Sequence, residues 1–406
     1  MNVVLLSIGN EILSGDTVNT NVSWIGKTLT ELGCNIQSQV TVPDNRDAIL
    51  LALETIIKSN PDLVITTGGL GPTEDDITRQ VIFDYVGTEH VFDESYWKKL
   101  KRRFERYGYD IPESNRSQAI TPTKGDIIPN PVGSARGFQF MIDSTLLIIL
   151  PGVPMEMKSM INKSVIPYIV DQNITVPSIK LLRTTGIPES ALIEKIEPAT
   201  KNNEHCRIGY YPSYYGVDIR ITSDQKDSIR KLTTEISDIL GYSVYTTDKI
   251  DISEVIVNLA LQKDATFATA ESCTGGLISH RITGVPGSSK SFVGGITAYS
   301  NNVKKLGLGV RKKTLKKYGA VSKETAEEMA ENVLLKFQTN YGLSVTGIAG
   351  PDGGSDYKPV GLVYVGLAKK NSTMVKKLQL GTDRTRNKLR SSQAALDILR
   401  LELIHA

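Results

Sequence analysis

"DLVITTGGLGPTEDD", residues 62 to 76, runs from a short apolar strand straight into a glycine-rich loop and then into carboxylates. Working outward, "VVLLSI" (3–8) leads into the polar stretch "GNEILSGDTVNTN" (9–21), and "STLLIILPGVPMEM" (144–157) repeats the strand-to-loop design. Between them lie helical patterns. One passes through Trp24, Leu29 and Leu32, and another, "PDNRDAILLALETIIKS" (43–59), recurs on one face at Ile49, Leu53, Ile56 and Ile57, with Asp44 as the expected N-cap. Short, continuously apolar strands alternating with helices predict a parallel sheet covered on both faces. Ligands bind such sheets where loops leave the carboxyl ends of the strands, and the polar loops of this half sit there.

Size and composition fit several such units. The 406 residues exceed what one hydrophobic core supports, and 40% hydrophobic with 22% charged residues is ordinary for a globular protein. The texture divides the chain at about 170 and 250. The middle part, 171–250, holds strand-like "IKLLRTTGI", "YYPSYYGVDIRIT" and "YSVYTT" with two helices and reads as a small α+β connecting domain. The last, 251–406, begins with a helix, continues with the strand "ATFATA" and ends in a helix from about Arg386 to Ile404. The fold class is α/β: a three-layer α/β domain over 1–170, the α+β connector, and an α/β domain over 251–406.

Charge and cysteine content exclude several classes. A net charge of +3 and no basic groove argue against direct nucleic-acid binding, and "KKLKRRFER" (98–106) reads as a solvated helix face. No apolar run reaches the ~18–20 residues a bilayer needs, so no membrane association is expected. The chain starts directly on a strand-like "NVVLLSIG", and Cys34, Cys206 and Cys273 are too few and too scattered for a disulfide framework or a zinc site. A cytoplasmic protein is expected.

In "TTGGLGPTEDDITR" (66–79), Gly68, Gly69 and Gly71 let the backbone approach a ligand, and their N–H groups can cradle a phosphate. Asp75 and Asp76 at the mouth of such a loop would repel phosphate unless a cation lies between them. Hard oxygen ligands suit Mg²⁺ or a similar divalent ion, and Glu11 and Asp16 approach from the first strand's loop. The same two aspartates would also serve simply as a helix cap, and the residues alone leave both readings open.

Ser272, in "ATFATAESCTGGLISHRI" (265–282), follows a strand and precedes Gly275, Gly276 and a helix. Such a corner presents a hydroxyl beside free N–H groups, which suits a nucleophile with an oxyanion hole and equally suits an N-cap. A serine needs a base. Of the four histidines, His280 lies two helical turns on, and His90, His205 and His405 lie elsewhere. The remaining candidate is a lysine of lowered pKa, Lys304, in "GGITAYSNNVKKLGLGV" (294–310), with Tyr299 five positions before it. "LSVTGIAGPDGGSDYKPVG" (343–361) adds Thr346 and Gly347, and "GTDRTRNKLR" (381–390) adds Arg384, Arg386 and Arg390 as phosphate holders. Cys273 is the rival nucleophile.

Four N-terminal stretches, "SIGNEILSGDTVNTN", "TTGGLGPTEDDITR", "NPVGSARGF" and "LPGVPMEM", resemble in order and spacing the molybdopterin-binding (MoaB/MogA-like) domain of the CinA family. That resemblance implies metal-dependent ADP-ribose pyrophosphatase activity, with Asp75, Asp76 and Glu11 on the metal and Gly68, Gly69, Gly71, Thr73 and Ser134 on the substrate. The chain departs from the family at Arg136, where a proline is usual, and this either loosens the loop or adds a phosphate contact. "TAESCTGG", "PGSSKSFVGGITAYSNNVKK", "GAVSKETAEEMA" and "VTGIAGPDGGSDYKPVG" resemble the nicotinamide-nucleotide amidohydrolase (PncC-like) domain of the same family. This implies hydrolysis of nicotinamide mononucleotide to nicotinic acid mononucleotide and ammonia, without a cofactor, by nucleophilic Ser272 with Lys304, Tyr299 and Thr346. Thr274, Gly275, Gly276, Gly347 and Arg384 (or Arg386) would hold the substrate. The resemblance also implies a homodimer. Two other readings stand beside it: an N-terminal half that binds a pterin or nucleotide without cleaving it, and a partner role in competence or DNA repair.

Overall fold

The computed structural model describes residues 1–201 and 203–406. The chain forms two compact units, Met1–Pro177 and Ser178–Ala406. In the first, β1 (Asn2–Ile8), β2 (Asn35–Val42) and β3 (Leu63–Thr67) precede a small hairpin-like pair, β4 (His90–Phe92) and β5 (Ile120–Pro122). Then follow β6 (Asp126–Ile128), β7 (Gly137–Ile142) and β8 (Thr145–Leu150), and the main sheet has the order β2-β1-β3-β8-β7-β6.

Alternation along the strands builds three layers. Val3, Leu5, Leu63, Ile65, Leu146 and Ile148 face a core shared with the helices Thr20–Glu31 and Pro154–Met160. Val4, Leu6, Val64, Leu147 and Ile149 face the opposite core, against helices Arg46–Lys58 and Thr78–Val86. A strand wet on neither face is why the sequence reads as continuous apolar runs. Each fully buried Leu or Ile contributes about 1.5–3 kcal/mol.

Two expectations are corrected here. The sheet is parallel only from β2 to β8; β7 runs antiparallel to β8, because Asp143, at φ +52°, and Ser144 make a tight turn between them, and β6 pairs antiparallel with β7. Asp44 does not cap the helix Arg46–Lys58. Asn45 does, accepting the Ala48 N–H, and Asp44 instead accepts the Asn10 N–H.

The second unit opens with a four-stranded antiparallel sheet, β9 (Ser178–Thr184), β10 (Arg207–Pro212), β11 (Val217–Ser223) and β12 (Val244–Thr246), ordered β10-β11-β9-β12. Helices Glu189–Lys201 and Lys226–Leu240 close its core. A five-stranded sheet follows, from β13 (Phe267–Glu271), β14 (Phe292–Thr297), β15 (Tyr341–Gly347), β16 (Leu362–Lys369) and β17 (Ser372–Gln379), in the order β14-β13-β15-β16-β17. The first three are mutually parallel, so the ends of β13, β14 and β15 open on one edge. On one face the helix Lys323–Phe337 lies so close that a side chain at Gly342 or Gly366 would meet the carbonyls of Ala330 or Ala326. On the other, Ala395, Leu396, Leu399 and Leu403 of the helix Arg384–His405 complete the core. Among the described residues, no helix is long and apolar enough to cross a membrane.

Candidate functional site

Ser272 is the first residue after β13, and its N–H still donates to Val345 O at 2.8 Å, so the sheet holds it. Its Oγ lies 2.8 Å from Lys304 Nζ, and Nζ also donates to Ala298 O at 2.8 Å. Lys304 reaches this point from the helix Asn301–Leu306, which Ser300 caps by accepting the Val303 N–H. The lysine is 2% exposed, and no carboxylate bonds to it among the described residues. Burial favours the neutral amine and lowers its pKa from 10.5 to about 8. In that neutral form the Ala298 carbonyl holds one N–H and the lone pair is left for the Ser272 hydroxyl.

The turn around Ser272 is tied down on its far side by Glu271. This buried carboxylate accepts Ile278 N–H (3.0 Å), Ser279 N–H (2.8 Å) and Ser279 Oγ (2.7 Å), and so fills the start of helix Leu277–Thr283. Ser272 is therefore no N-cap, and Glu271 is engaged away from it. The N–H groups of Ser272, Gly275 and Leu277 go to backbone carbonyls; among the described residues those of Cys273, Thr274 and Gly276 do not. Cys273 is packed into the core, where burial pushes its thiol up to about 12, so it stays protonated at working pH. His280 lies on the exposed side of the following helix.

Tyr299 and Thr346 are placed differently from expectation. The Tyr299 ring is exposed, and its hydroxyl accepts a 2.6 Å hydrogen bond from Arg384 Nη2 rather than meeting Lys304. Thr346 sits beside Val345, Ser272's backbone partner, but its hydroxyl donates to Ala320 O at 2.7 Å. Gly347 closes β15 next to it. Arg384, though exposed, also donates to Gly350 O at 3.0 Å, which ties it to the glycine loop after β15; the exposed Arg386 side chain makes no such bond among the described residues.

The first unit builds a different kind of site. Loops after β1, β2, β3, β6 and β8 enclose a pocket of about 380 Å³ lined by Gly68, Gly69, Gly71, Asp75, Asp76, Glu11 and Ser134, and also by Asp44 and Glu156. Gly68 lies at φ +108° against the Ile8 carbonyl, so no side chain fits there. Thr73 and Asp76 face each other: Asp76 Oδ2 accepts the Thr73 N–H (3.0 Å) and hydroxyl, which closes the turn and takes Thr73 away from a ligand. Neither aspartate caps the helix Thr78–Val86, which has no side-chain cap. Desolvation raises the pKa of Asp44, and the charges of Glu11, Asp75 and Asp76 raise it further.

The carboxylates are hard donors of the kind a divalent ion takes, and among the described residues no Lys or Arg lines the pocket. They are spread apart, however. Glu11 folds back toward Gly9, Asp76 is held by Thr73, and among the described residues no three acidic, His or Cys side chains lie close enough to form a cage. Glu11, Asp75 and Asp76 are thus no preformed three-ligand set. Such a site fits an ion that one or two carboxylates share with a substrate phosphate, the usual manner of Mg²⁺.

Three family descriptions divide the chain: "Probable molybdopterin binding domain" over residues 4–171, "Damage-inducible protein CinA KH domain" over 179–246 and "CinA C-terminal domain" over 249–403. A Clostridium novyi protein described as a putative competence-damage inducible protein is 40% identical over 410 residues, covering 100% of this chain and 99% of its own. The chain belongs to the CinA family. A CinA-like protein of Kosmotoga olearia is 41% identical over 100% of this chain and 99% of its own. The CinA crystal structure from Thermoplasma acidophilum is 36% identical and covers 41% of this chain and 97% of its own, with a TM-score of 0.38.

Within this CinA chain, sequence reasoning missed two pocket residues. Asp44 reads as a cap from its position, although its neighbour Asn45 is at least as good a capping residue and is the one that caps. Glu156, inside "LPGVPMEM", carries no separate sequence signal, yet Asn130 Nδ2 donates to it, and a side chain at Gly133 would strike its carboxylate. Arg136 takes neither expected role. It is buried, pairs with Asp93 at 2.7 Å and lies 3.9 Å from the Tyr96 ring centroid, while Tyr96 and Arg103 donate to the carbonyls of Ser134, Gly133 and Val132. The helix Glu94–Arg106 and its Asp93 cap hence clamp the loop that presents Ser134.

Proposed function

We propose that this CinA protein is a hydrolase of pyridine-nucleotide metabolism whose C-terminal site deamidates nicotinamide mononucleotide. The observation that carries this reading is the 2.8 Å contact between Ser272 Oγ and a buried Lys304 whose pKa is about 8. Neutral Lys304 accepts the Ser272 proton as Oγ attacks the carboxamide carbon. Oxygen takes up the developing charge near those N–H groups of the 272–276 turn that no backbone carbonyl holds. As the C–N bond breaks, Lys304 returns the proton to nitrogen and ammonia leaves. Water, deprotonated by the same amine, then attacks the acyl-serine ester, and Ser272 recovers its proton as nicotinic acid mononucleotide departs. The amide substrate is taken from the family resemblance; the serine–lysine chemistry rests on the geometry. Ammonia release from nicotinamide mononucleotide by the purified chain tests it, and no release at any pH from 7 to 10 overturns it.

A second activity is favoured by a separate observation, the carboxylate-lined glycine pocket of the first unit. We infer that it holds ADP-ribose by its pyrophosphate, with the N–H groups of the Gly68–Gly71 loop and the Ser134 loop around the phosphates. A divalent ion on Asp75 and Asp76, with Glu11 and Asp44 nearby, would neutralise phosphate charge there. If the pocket only binds a pterin or nucleotide, ADP-ribose will persist in the presence of Mg²⁺.

A further inference from the structure

The helix Arg384–His405 presents Arg384, Asn387, Lys388 and Ser391 at the spacing of one face. Arg384 is engaged with Gly350 O and Tyr299, and Asn387 Nδ2 donates to Ala349 O (2.9 Å) and Gly381 O (2.8 Å). The face thus grips the loop after β15 from both positions. Lys388 is directed elsewhere: its Nζ lies 3.7 Å from where a Cβ on Gly275 would stand, in the turn that carries Ser272. Gly275, at φ +65°, leaves that space open.

Lys388 is half-buried, and among the described residues its ammonium makes no hydrogen bond or ion pair. The nearby acids are engaged otherwise. Asp383 caps the helix through the Arg386 N–H, and Glu271 binds Ile278 and Ser279. Two buried polar atoms of the same region, Thr274 Oγ1 and Asn387 Oδ1, also lack partners, on residues that are 0% and 1% exposed. A half-buried ammonium without a counter-ion, next to unpartnered polar atoms, is a poor arrangement for stability and a ready one for an anionic ligand.

We propose that Lys388 is the second cation of the Ser272 site. With Arg384, one turn earlier, it holds the phosphomonoester of the substrate whose amide is presented to Ser272. This deepens the amidohydrolase reading and rests on it. Arg384 offers a planar fork and Lys388 a point charge, so the pair brackets one dianion from two sides. Selectivity for a nucleotide over the corresponding nucleoside follows, because the nucleoside leaves Lys388 unpaired.

The test uses the full chain carrying Ser272→Ala, which separates binding from turnover, with calorimetric titration of nicotinamide mononucleotide and of nicotinamide riboside. Adding Lys388→Met, which keeps the aliphatic stem, is expected to weaken the mononucleotide by about ten- to a hundredfold and so to erase most of its advantage over the riboside. Lys388→Arg should restore much of it. Unchanged mononucleotide affinity, an equal loss for both compounds, or no binding of either by the parent chain overturns the role of Lys388. Phosphate-dependent binding together with no ammonia release by the unmutated chain would instead overturn the amidohydrolase reading and leave the anion site standing.

Discussion

Both units place their polar loops at the carboxyl ends of parallel strands, yet the two sites have opposite electrostatics. In the first, the pocket gathers Glu11, Asp44, Asp75, Asp76 and Glu156, and among the described residues no lysine or arginine lines it. In the second, one serine meets one buried lysine, with Arg384 beyond, and the adjoining carboxylate, Glu271, is engaged with the next helix. Accumulated like charge calls for a cation from outside. A lone buried amine needs nothing added, because burial alone supplies the neutral base. The same architecture therefore supports a site completed by its ligands and a site complete in itself.

The sharpest separation is expected from Ser272→Ala and Lys304→Ala. Each should lower ammonia release by about 10³-fold or more while ADP-ribose hydrolysis, followed by product chromatography, stays at the parent level. A joint loss breaks the comparison. Next in size is metal dependence. Chelation, or Asp75→Asn, should reduce ADP-ribose cleavage by about 10²-fold and leave ammonia release untouched; cleavage that survives a chelator removes the role given to the carboxylates.

pH sharpens the contrast further. Because Lys304 must be neutral to act, kcat/KM for ammonia release should rise with pH and level off above about 8. The stability effect has the same sign. The folded state releases this proton near 8 and the unfolded state near the ordinary 10.5, so stability rises with pH between those values. Lys304→Met should be more heat-stable than the parent at pH 7, with the gap narrowing toward pH 10.5. A constant gap would show that the lysine is not depressed. The smallest effect belongs to Cys273→Ala, which keeps most amide hydrolysis and costs about 1 kcal/mol in thermal or denaturant unfolding for the lost buried sulfur. Loss of activity there would transfer the nucleophile to the thiol.

Much of this was legible from local pattern. Strands buried on both faces leave unbroken apolar runs, and a serine without an available histidine directs attention to Lys304. What escaped depended on long-range contacts or on one-residue choices. The β7–β8 edge is antiparallel because of the tight turn at Asp143, which a strand pattern does not reveal. Tyr299 was expected near Lys304 from its spacing, yet its hydroxyl partner is Arg384, 85 positions away. Thr346 likewise bonds a carbonyl 26 positions back. At Asp44 and Asn45 two good caps stand side by side, and only the packed chain shows which one turns to the pocket.

The way the Ser272 turn is fastened also sets when, during synthesis, the protein becomes reactive. Glu271 needs only Ile278 and Ser279, so that half of the corner can form as soon as this short stretch exists. The backbone of Ser272 waits for Val345, and its hydroxyl waits for Lys304, 32 positions on, to be buried. Until β15 has joined the sheet, the Ser272 N–H lacks its Val345 partner and the turn is held by Glu271 alone. Under the proposed amidase reading, recovery of ammonia release after denaturation would report completion of the whole sheet rather than formation of the local turn.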